Sequence, residues 1–186
     1  MCFKIKQAGV TLIELSVTLS MIGILAGFAA PSYSQFITKR TVAGAANLVA
    51  SFVEDIKMKS IARNEFATIS FKTSAKGRGW CMGAVMGKDV ACDCMAETPQ
   101  CVIDSLPAIL TNETHKKFGN LKLAFEDGSF SFDPVRGILS DPKSSVSVQI
   151  KEQTKNLIVK VIVNATGSIS KCSPANEKLI GYPTCI

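Results

Sequence analysis

Residues 10–30 read VTLIELSVTLSMIGILAGFAA, an apolar run that holds a single charge, Glu14, and no lysine or arginine. About 20 mostly apolar residues suffice to cross a bilayer as one helix. The reading therefore places a transmembrane helix over residues 10–31, and the rest of the fold follows from what flanks it. On the N-terminal side lies MCFKIKQAG, a short polar leader with Lys4 and Lys6. An ordinary secretory signal has its apolar core ahead of a cleavage site of small residues; here the polar leader comes first and the apolar run second.

On the C-terminal side the helix is expected to continue. From Tyr33 to Ala62, the residues Phe36, Ala43, Ala46, Val49, Phe52, Val53, Ile56 and Ile61 recur at helical spacing, with Lys39, Arg40, Glu54, Asp55, Lys57 and Lys59 mostly between them. Pro31 should bend it. The soluble half would pack on the chain's own domain, and the membrane half would be left for neighbouring subunits. Beyond Asn64 the pattern turns to strands. Phe66–Lys72, Gly79–Met86, Leu121–Phe125, Ser129–Asp133, Ser145–Ile150 and Leu157–Asn164 are rich in β-branched or aromatic residues. Turn signals separate them at Gly77-Arg78-Gly79, Asp127-Gly128-Ser129, Asp133-Pro134, Asp141-Pro142 and Thr166-Gly167. The expected class is α+β: a long N-terminal helix on a C-terminal antiparallel β domain. Its parts are a leader (1–9), a helix (10–62, with 10–31 in the membrane) and a β domain (63–186).

Composition narrows the function classes. The chain has 186 residues, of which 47% are hydrophobic and 19% charged, and its mean hydropathy is +0.24. That balance excludes intrinsic disorder and collagen-like fibres, and the length excludes a large multi-domain enzyme. The net charge of +6 says little about partners, and a single histidine argues against a histidine-based metal site.

Glu14 is the residue out of place. A carboxylate central in a spanning helix costs roughly 2.5–3.5 kcal/mol on insertion scales, less near an interface. Either Glu14 lies one turn from the water and snorkels, or it is protonated, or it needs a positive partner inside the membrane, which the segment itself does not supply. Cleavage after Gly9 would give Val10 an α-amine. A glutamate four residues into the new helix suits the N-terminal end of its dipole, and it could pair with the amine of a neighbouring copy.

Gly9-Val10-Thr11-Leu12-Ile13-Glu14-Leu15, behind a basic leader and ahead of an apolar span, resembles the class III leader of type IV pilins and type II secretion pseudopilins. The resemblance implies cleavage between Gly9 and Val10 by a prepilin peptidase, N-methylation of Val10, and Glu14 as the assembly glutamate. Phenylalanine is the usual first mature residue; valine stands here. Gly23 and Pro31 fall where family members have helix-weakening residues. Two later pieces, Phe130–Leu139 (FSFDPVRGIL) and Ile158–Cys172 (IVKVIVNATGSISKC), resemble the GspH/FimT/FimU group of minor pilins and pseudopilins. The middle of the chain is unmatched.

Cys2 lies in the leader. Cys81, Cys92, Cys94, Cys101, Cys172 and Cys185 are an even number on an expected exported domain, which reads as a disulfide framework. A bridge across one residue, Cys92 to Cys94, would be strained, so each should pair with Cys81 or Cys101, in an order left open. Cys172 with Cys185 would close a loop of about a dozen residues, worth roughly 2–3 kcal/mol. The rival reading, a four-thiol zinc site, lacks the C-x2-C knuckles usual there. Charge does not orient the span, because Lys4 and Lys6 flank one side and Lys39 and Arg40 the other. The cysteines and the resemblance place the β domain in the periplasm.

No catalytic motif is present. Ser168–Lys171 fits S-x-x-K but on an apparent strand, and His115 sits among Thr114, Lys116 and Lys117 in a polar stretch. Trp80, beside Cys81, is expected over a disulfide or the sheet. Asn112 and Asn164 head glycosylation sequons, which a bacterial-type export context discounts. Some FimT-like relatives bind DNA through Gly-Arg-x-Arg, where this chain has Gly167-Ser168-Ile169-Ser170, so nucleic acid is not an expected partner. Lys72, Lys76 and Arg78, and Lys116 with Lys117, read as solvated basic loops. The reading is a non-enzymatic minor pilin without cofactor or metal, a single-pass inner-membrane protein that then enters a type IV pilus and helps prime its assembly. Implied partners are major and minor pilins, the prepilin peptidase, an inner-membrane assembly platform and, before assembly, membrane lipid. The alternatives are a GspH-type pseudopilin of type II secretion, a DNA-binding minor pilin, and a membrane-anchored binding domain that never polymerises.

Overall fold

The structure, a computed structural model, describes residues 9–73, 79–96, 98, 100–112, 118, 121–125, 128–141, 145–152, 157–177 and 179–185; of these, the side chains of 28–32 are not described. The leader with Cys2, the turn residues Gly77, Arg78, Asp127 and Pro142, the basic residues Lys76, Lys116 and Lys117, and His115 lie outside this set. The chain divides into two units, residues 1–38 and 39–186.

Helix α1 runs Leu12–Arg63 and belongs to both units. It is helical through Pro31, and the expected bend falls among residues whose side chains are not described. Its end is dictated locally. Asn64 adopts a left-handed φ of 52°, its N–H bonds the Ile61 carbonyl at 3.2 Å, and the Glu65 N–H bonds the Ser60 carbonyl at 3.2 Å. Those two bonds form a Schellman stop, made by asparagine where glycine is usual.

In the second unit, α1 buries Val42, Ala45, Ala46, Val49, Val53 and Ile56, a stripe at spacings of three and four. This corrects the expected stripe. Ile61 lies 39% exposed in the last turn, Phe36 is exposed, and Ala43 and Phe52 are only half-buried, while Val42 and Ala45 take the core positions. The alanines let the helix approach closely the sheets it covers.

Strands β1 (Ala67–Thr73), β2 (Trp80–Met86), β3 (Val102–Ile103), β4 (Leu106–Pro107), β5 (Ile109–Thr111), β6 (Leu121–Phe125), β7 (Ser129–Phe132), β8 (Val146–Glu152), β9 (Ile158–Val163) and β10 (Ile169–Cys172) follow, then a 3-10 turn at Ala175–Glu177. They build two antiparallel sheets, ordered β5-β2-β1-β7 and β10-β9-β8-β6, and a β3-β4 hairpin. The inward residues of both sheets, among them Ile69, Phe132, Val148, Ile150, Val159 and Val161, join the helix stripe in one core. Phe71 stacks on Phe125 with centroids 4.2 Å apart, linking β1 to β6.

The short strands β3 to β5 lie in the middle region where the sequence carried no periodic signal. The hairpin turn places Asp104 (φ 57°) and Ser105 (φ 63°) in left-handed conformation, the requirement of a type I′ turn normally met by Asn-Gly. The two pieces with family resemblance meet in space. Gly167 (φ +74°) lies so close to Gly137 that a Cβ would overlap the Gly137 carbonyl oxygen. Lys57 of α1 donates to the Gly167 carbonyl at 2.9 Å, tying the helix to that turn.

Candidate functional site

The N-terminal segment is assembled from its first turn. Thr11 precedes α1 and its hydroxyl accepts the Glu14 N–H at 3.3 Å. Thr11-x-x-Glu14 is therefore a helix N-cap with an acid at the third helical position, the pattern of a capping box. Thr11 was missed as a site residue, although that spacing is legible in the sequence. Glu14 is exposed in the first turn, where a negative charge complements the helix dipole. Val10, just outside the helix, is 72% exposed. No cationic partner for Glu14 appears among the described residues.

Downstream, Leu12, Ile13, Leu15, Val17, Leu19, Met21, Ile22, Ile24 and Leu25 are all exposed. They cover every side of the helix rather than one stripe, as in a helix that is surrounded by apolar material in its working state. The few hydroxyls turn back on the backbone. Ser16 donates to the Ile13 carbonyl at 2.8 Å, Thr18 to Leu15 at 2.9 Å and Ser20 to Ser16 at 2.8 Å, so their polarity is internally satisfied. Among the described residues no helix is long and apolar enough to cross a membrane. The expected span of 10–31 runs beyond the described side chains, which end at Gly27 on this stretch.

The second cluster of chemistry-bearing residues is sulfur. Bridges join Cys81 to Cys94, Cys92 to Cys101 and Cys172 to Cys185. The first two lie together on the outer face of the β5-β2-β1-β7 sheet. They tether the segment from Gly87 to Cys101 across that face, and sheet hydroxyls hold it. Thr68 Oγ1 donates to the Gly87 carbonyl at 2.6 Å, Ser131 Oγ donates to Asp89 Oδ1 at 3.0 Å, and Ser70 Oγ accepts the Cys92 N–H at 3.1 Å. Gly83 is the opening that admits the bridge, for a Cβ there would overlap Cys101 Sγ and sit 3.0 Å from Cys92 Sγ. With all four thiols in bridges, no thiolate set remains for zinc.

The other singled-out residues disperse. Lys72 pairs with Asp93 at 2.5 Å rather than standing in a free basic loop. This hydrogen bond, reinforced by the Met95 N–H, holds the Asp93 carboxyl below the usual carboxylate range. Lys171 donates to Asn47 Oδ1 at 2.7 Å, and Ser168 Oγ accepts from Asn164 Nδ2 at 3.0 Å, so the S-x-x-K pair serves two separate structural contacts. Trp80 is buried, and its indole N–H has no partner among the described residues.

Comparison with known proteins gives one family model, the prokaryotic N-terminal methylation motif, which matches residues 4–30. No curated protein matches the chain. Two solved structures of the type IV minor pilin FimU of Pseudomonas aeruginosa strain PAO1 are similar. One has 13% identity over 79% of this chain and 98% of that one, with a TM-score of 0.47. The other has 14% identity over 72% and 97%, with a TM-score of 0.45.

Proposed function

We propose that the chain, whose N-terminal segment carries the prokaryotic N-terminal methylation motif, is a minor pilin of a type IV pilus. The observation that carries this reading is the motif itself, placed on a capped helix whose apolar side chains are exposed all round. A prepilin peptidase cuts between Gly9 and Val10, Val10 is N-methylated, and the helix anchors the protein in the inner membrane with the disulfide-bonded domain in the periplasm. Glu14 then pairs with the α-amine of a neighbouring subunit as the apolar helices leave lipid for the filament core. The role is structural and non-enzymatic, and the partners are other pilins, the peptidase and the inner-membrane assembly platform.

Intact-mass analysis of the protein from membranes tests the processing steps. The expected species begins at Val10 and carries one added methyl group, and a species that keeps residues 1–9 would overturn the reading. Deletion of the gene should reduce piliation and leave protein secretion unchanged; the reverse would move the chain to a type II secretion system.

A further inference from the structure

Helix α1 and strand β10 are tied at two levels. Lys57 donates to the Gly167 carbonyl, and Lys171 donates to Asn47. The ties are about 15 Å apart along the helix and about 13 Å apart along the strand, so β10 runs back along α1 toward Lys39. Strands β9, β8 and β6 then alternate in direction, which fixes the end of the sheet that lies where α1 enters the domain. At that end Lys160 stands opposite Cys172, Lys151 opposite Ile158, and Lys122 opposite Lys151. All lie on the face turned away from α1, because Val148, Ile150, Val159 and Val161 on the other face join the core.

Lys122 is exposed, Lys151 and Lys160 are half-exposed, and Ile158 is half-buried among them. Like charges directly across a strand pair are destabilising, so this corner is built at a cost that an anionic partner would offset. Acids do not balance it. Glu152, the one carboxylate on these four strands, is buried on the face toward α1. The connections at this end, residues 113–120 and 153–156, hold three lysines and one glutamate, so their sequence adds positive charge whatever their course. The side chains past Cys172 contribute one charge of each sign, Glu177 and Lys178. An apolar residue projects nearby. Ser173 Oγ donates to the Ile158 carbonyl at 2.8 Å and accepts the Leu179 N–H at 2.9 Å, and Ile180, next after the buried Leu179, is 80% exposed.

The chain itself supplies a surface for this corner. Lys39 follows the end of the proposed span at residue 31 by eight residues, which reach at most about 28 Å however they are arranged. A patch tethered so near a bilayer meets it at high effective concentration. We propose that, before assembly, Lys122, Lys151 and Lys160 dock on anionic phospholipid headgroups of the membrane that holds the helix, with Ile180 entering the headgroup layer. This rests on the membrane-anchored stage of the reading above and adds a resting position for the β domain, given up when the helix leaves lipid. The long lysine stems let the ammonium heads reach phosphates that the strands do not touch. Each lysine at an anionic leaflet strengthens attachment about fivefold, so three give on the order of a hundredfold.

The test uses the full-length chain reconstituted in vesicles of phosphatidylcholine alone, or of phosphatidylcholine mixed with phosphatidylglycerol. An amine-acetylating reagent labels accessible lysines, and mass spectrometry reads each one. Lys88, which lies over Phe66 just past the far end of α1, is the internal reference. The expected result is a severalfold drop in acetylation of Lys122, Lys151 and Lys160 relative to Lys88 in the mixed vesicles, absent in phosphatidylcholine and abolished by high salt. Lys122 should lose that protection in Lys151→Glu/Lys160→Glu and keep it in Lys151→Arg/Lys160→Arg, and Ile180→Ser should reduce it. Equal acetylation in both vesicles overturns the proposal. Equal protection by free glycerol phosphate, or by duplex DNA added to phosphatidylcholine vesicles, overturns it in favour of a soluble anion or of nucleic acid. Flotation with the vesicles after an alkaline wash reports the anchor separately. A chain that floats without lysine protection loses only the docking; a chain that does not float loses the anchor and the docking together.

Discussion

Gly83 is the residue on which the disulfide-tethered face depends. It lies opposite Ser70 in the β1-β2 pairing, beneath the Cys92–Cys101 bridge, with no room for a side chain. Gly83→Ala is expected to force the two strands of the bridge apart and cost about 1–3 kcal/mol, the usual range for overpacking a filled site. A lowered Tm together with titratable thiols in the oxidised protein would show it; an unchanged Tm with no free thiol would refute it. Asp93 makes a second residue-scale prediction. Its pKa in the folded chain is held down by Lys72, so the link contributes above the ordinary aspartate value of about 3.9 and fades as pH falls through the lowered one. Asp93→Asn should therefore flatten the acid limb of the Tm–pH profile below pH ~4 and leave the neutral limb nearly parallel to wild type. The pair is exposed, so the difference is small.

Helix α1 has a start and a stop of unequal meaning. The stop at Asn64 closes the helix geometrically. The start at Thr11-x-x-Glu14 combines a cap with a candidate assembly charge, and variants separate the two. Thr11→Ala removes the hydroxyl acceptor and should cost about 0.5–2 kcal/mol of helix stability, seen as faster amide exchange in the first turn, with filament incorporation retained. Glu14→Gln keeps an amide that can serve a capping box but has no charge, so it should lose incorporation as fully as Glu14→Ala. Normal piliation with Glu14→Gln would assign the residue to the cap alone. Much of this element was legible beforehand: spacing foretold the helix from Tyr33 onward, and β-branched runs foretold β1, β2 and β6 to β9 within one or two residues. The stripe was misread at Phe36 and Ile61 because alanine, a weak hydrophobic signal, occupies the positions of closest approach. Strands β3 to β5 were not legible at all. They are short, and their turn uses Asp104 and Ser105 where a glycine would have announced it.

At the scale of the whole molecule, three bridges divide the work. Two tie the 87–101 segment onto one sheet, and the third joins β10 to the C-terminal segment. Cys172 with Cys185 was expected from the sequence, but the pairing of the other four could not be read from spacing, because it depends on which face of β2 Cys81 occupies and where the loop recrosses it. Cys172→Ser/Cys185→Ser frees a loop with a sequence separation of 13 and is expected to cost about 2–4 kcal/mol. Denaturant unfolding measures this, and a midpoint equal to wild type would refute it. The N-terminal motif, by contrast, was legible in the sequence and is matched over residues 4–30, since it is a local pattern that needs no tertiary contacts.

The C-terminal segment has one more effect. Ser173 bridges Thr184 in parallel, and the Ser173 N–H is taken by the Pro183 carbonyl at 2.9 Å, while its own carbonyl takes the Cys185 N–H at 3.1 Å. The continuation of β10 thus meets the chain's own tail where an edge would otherwise offer open amides to a stray strand. The tail works as a selvedge: cloth cut there frays, and a domain shorn of these residues would recruit foreign strands and come out of solution as sheets stacked on one another.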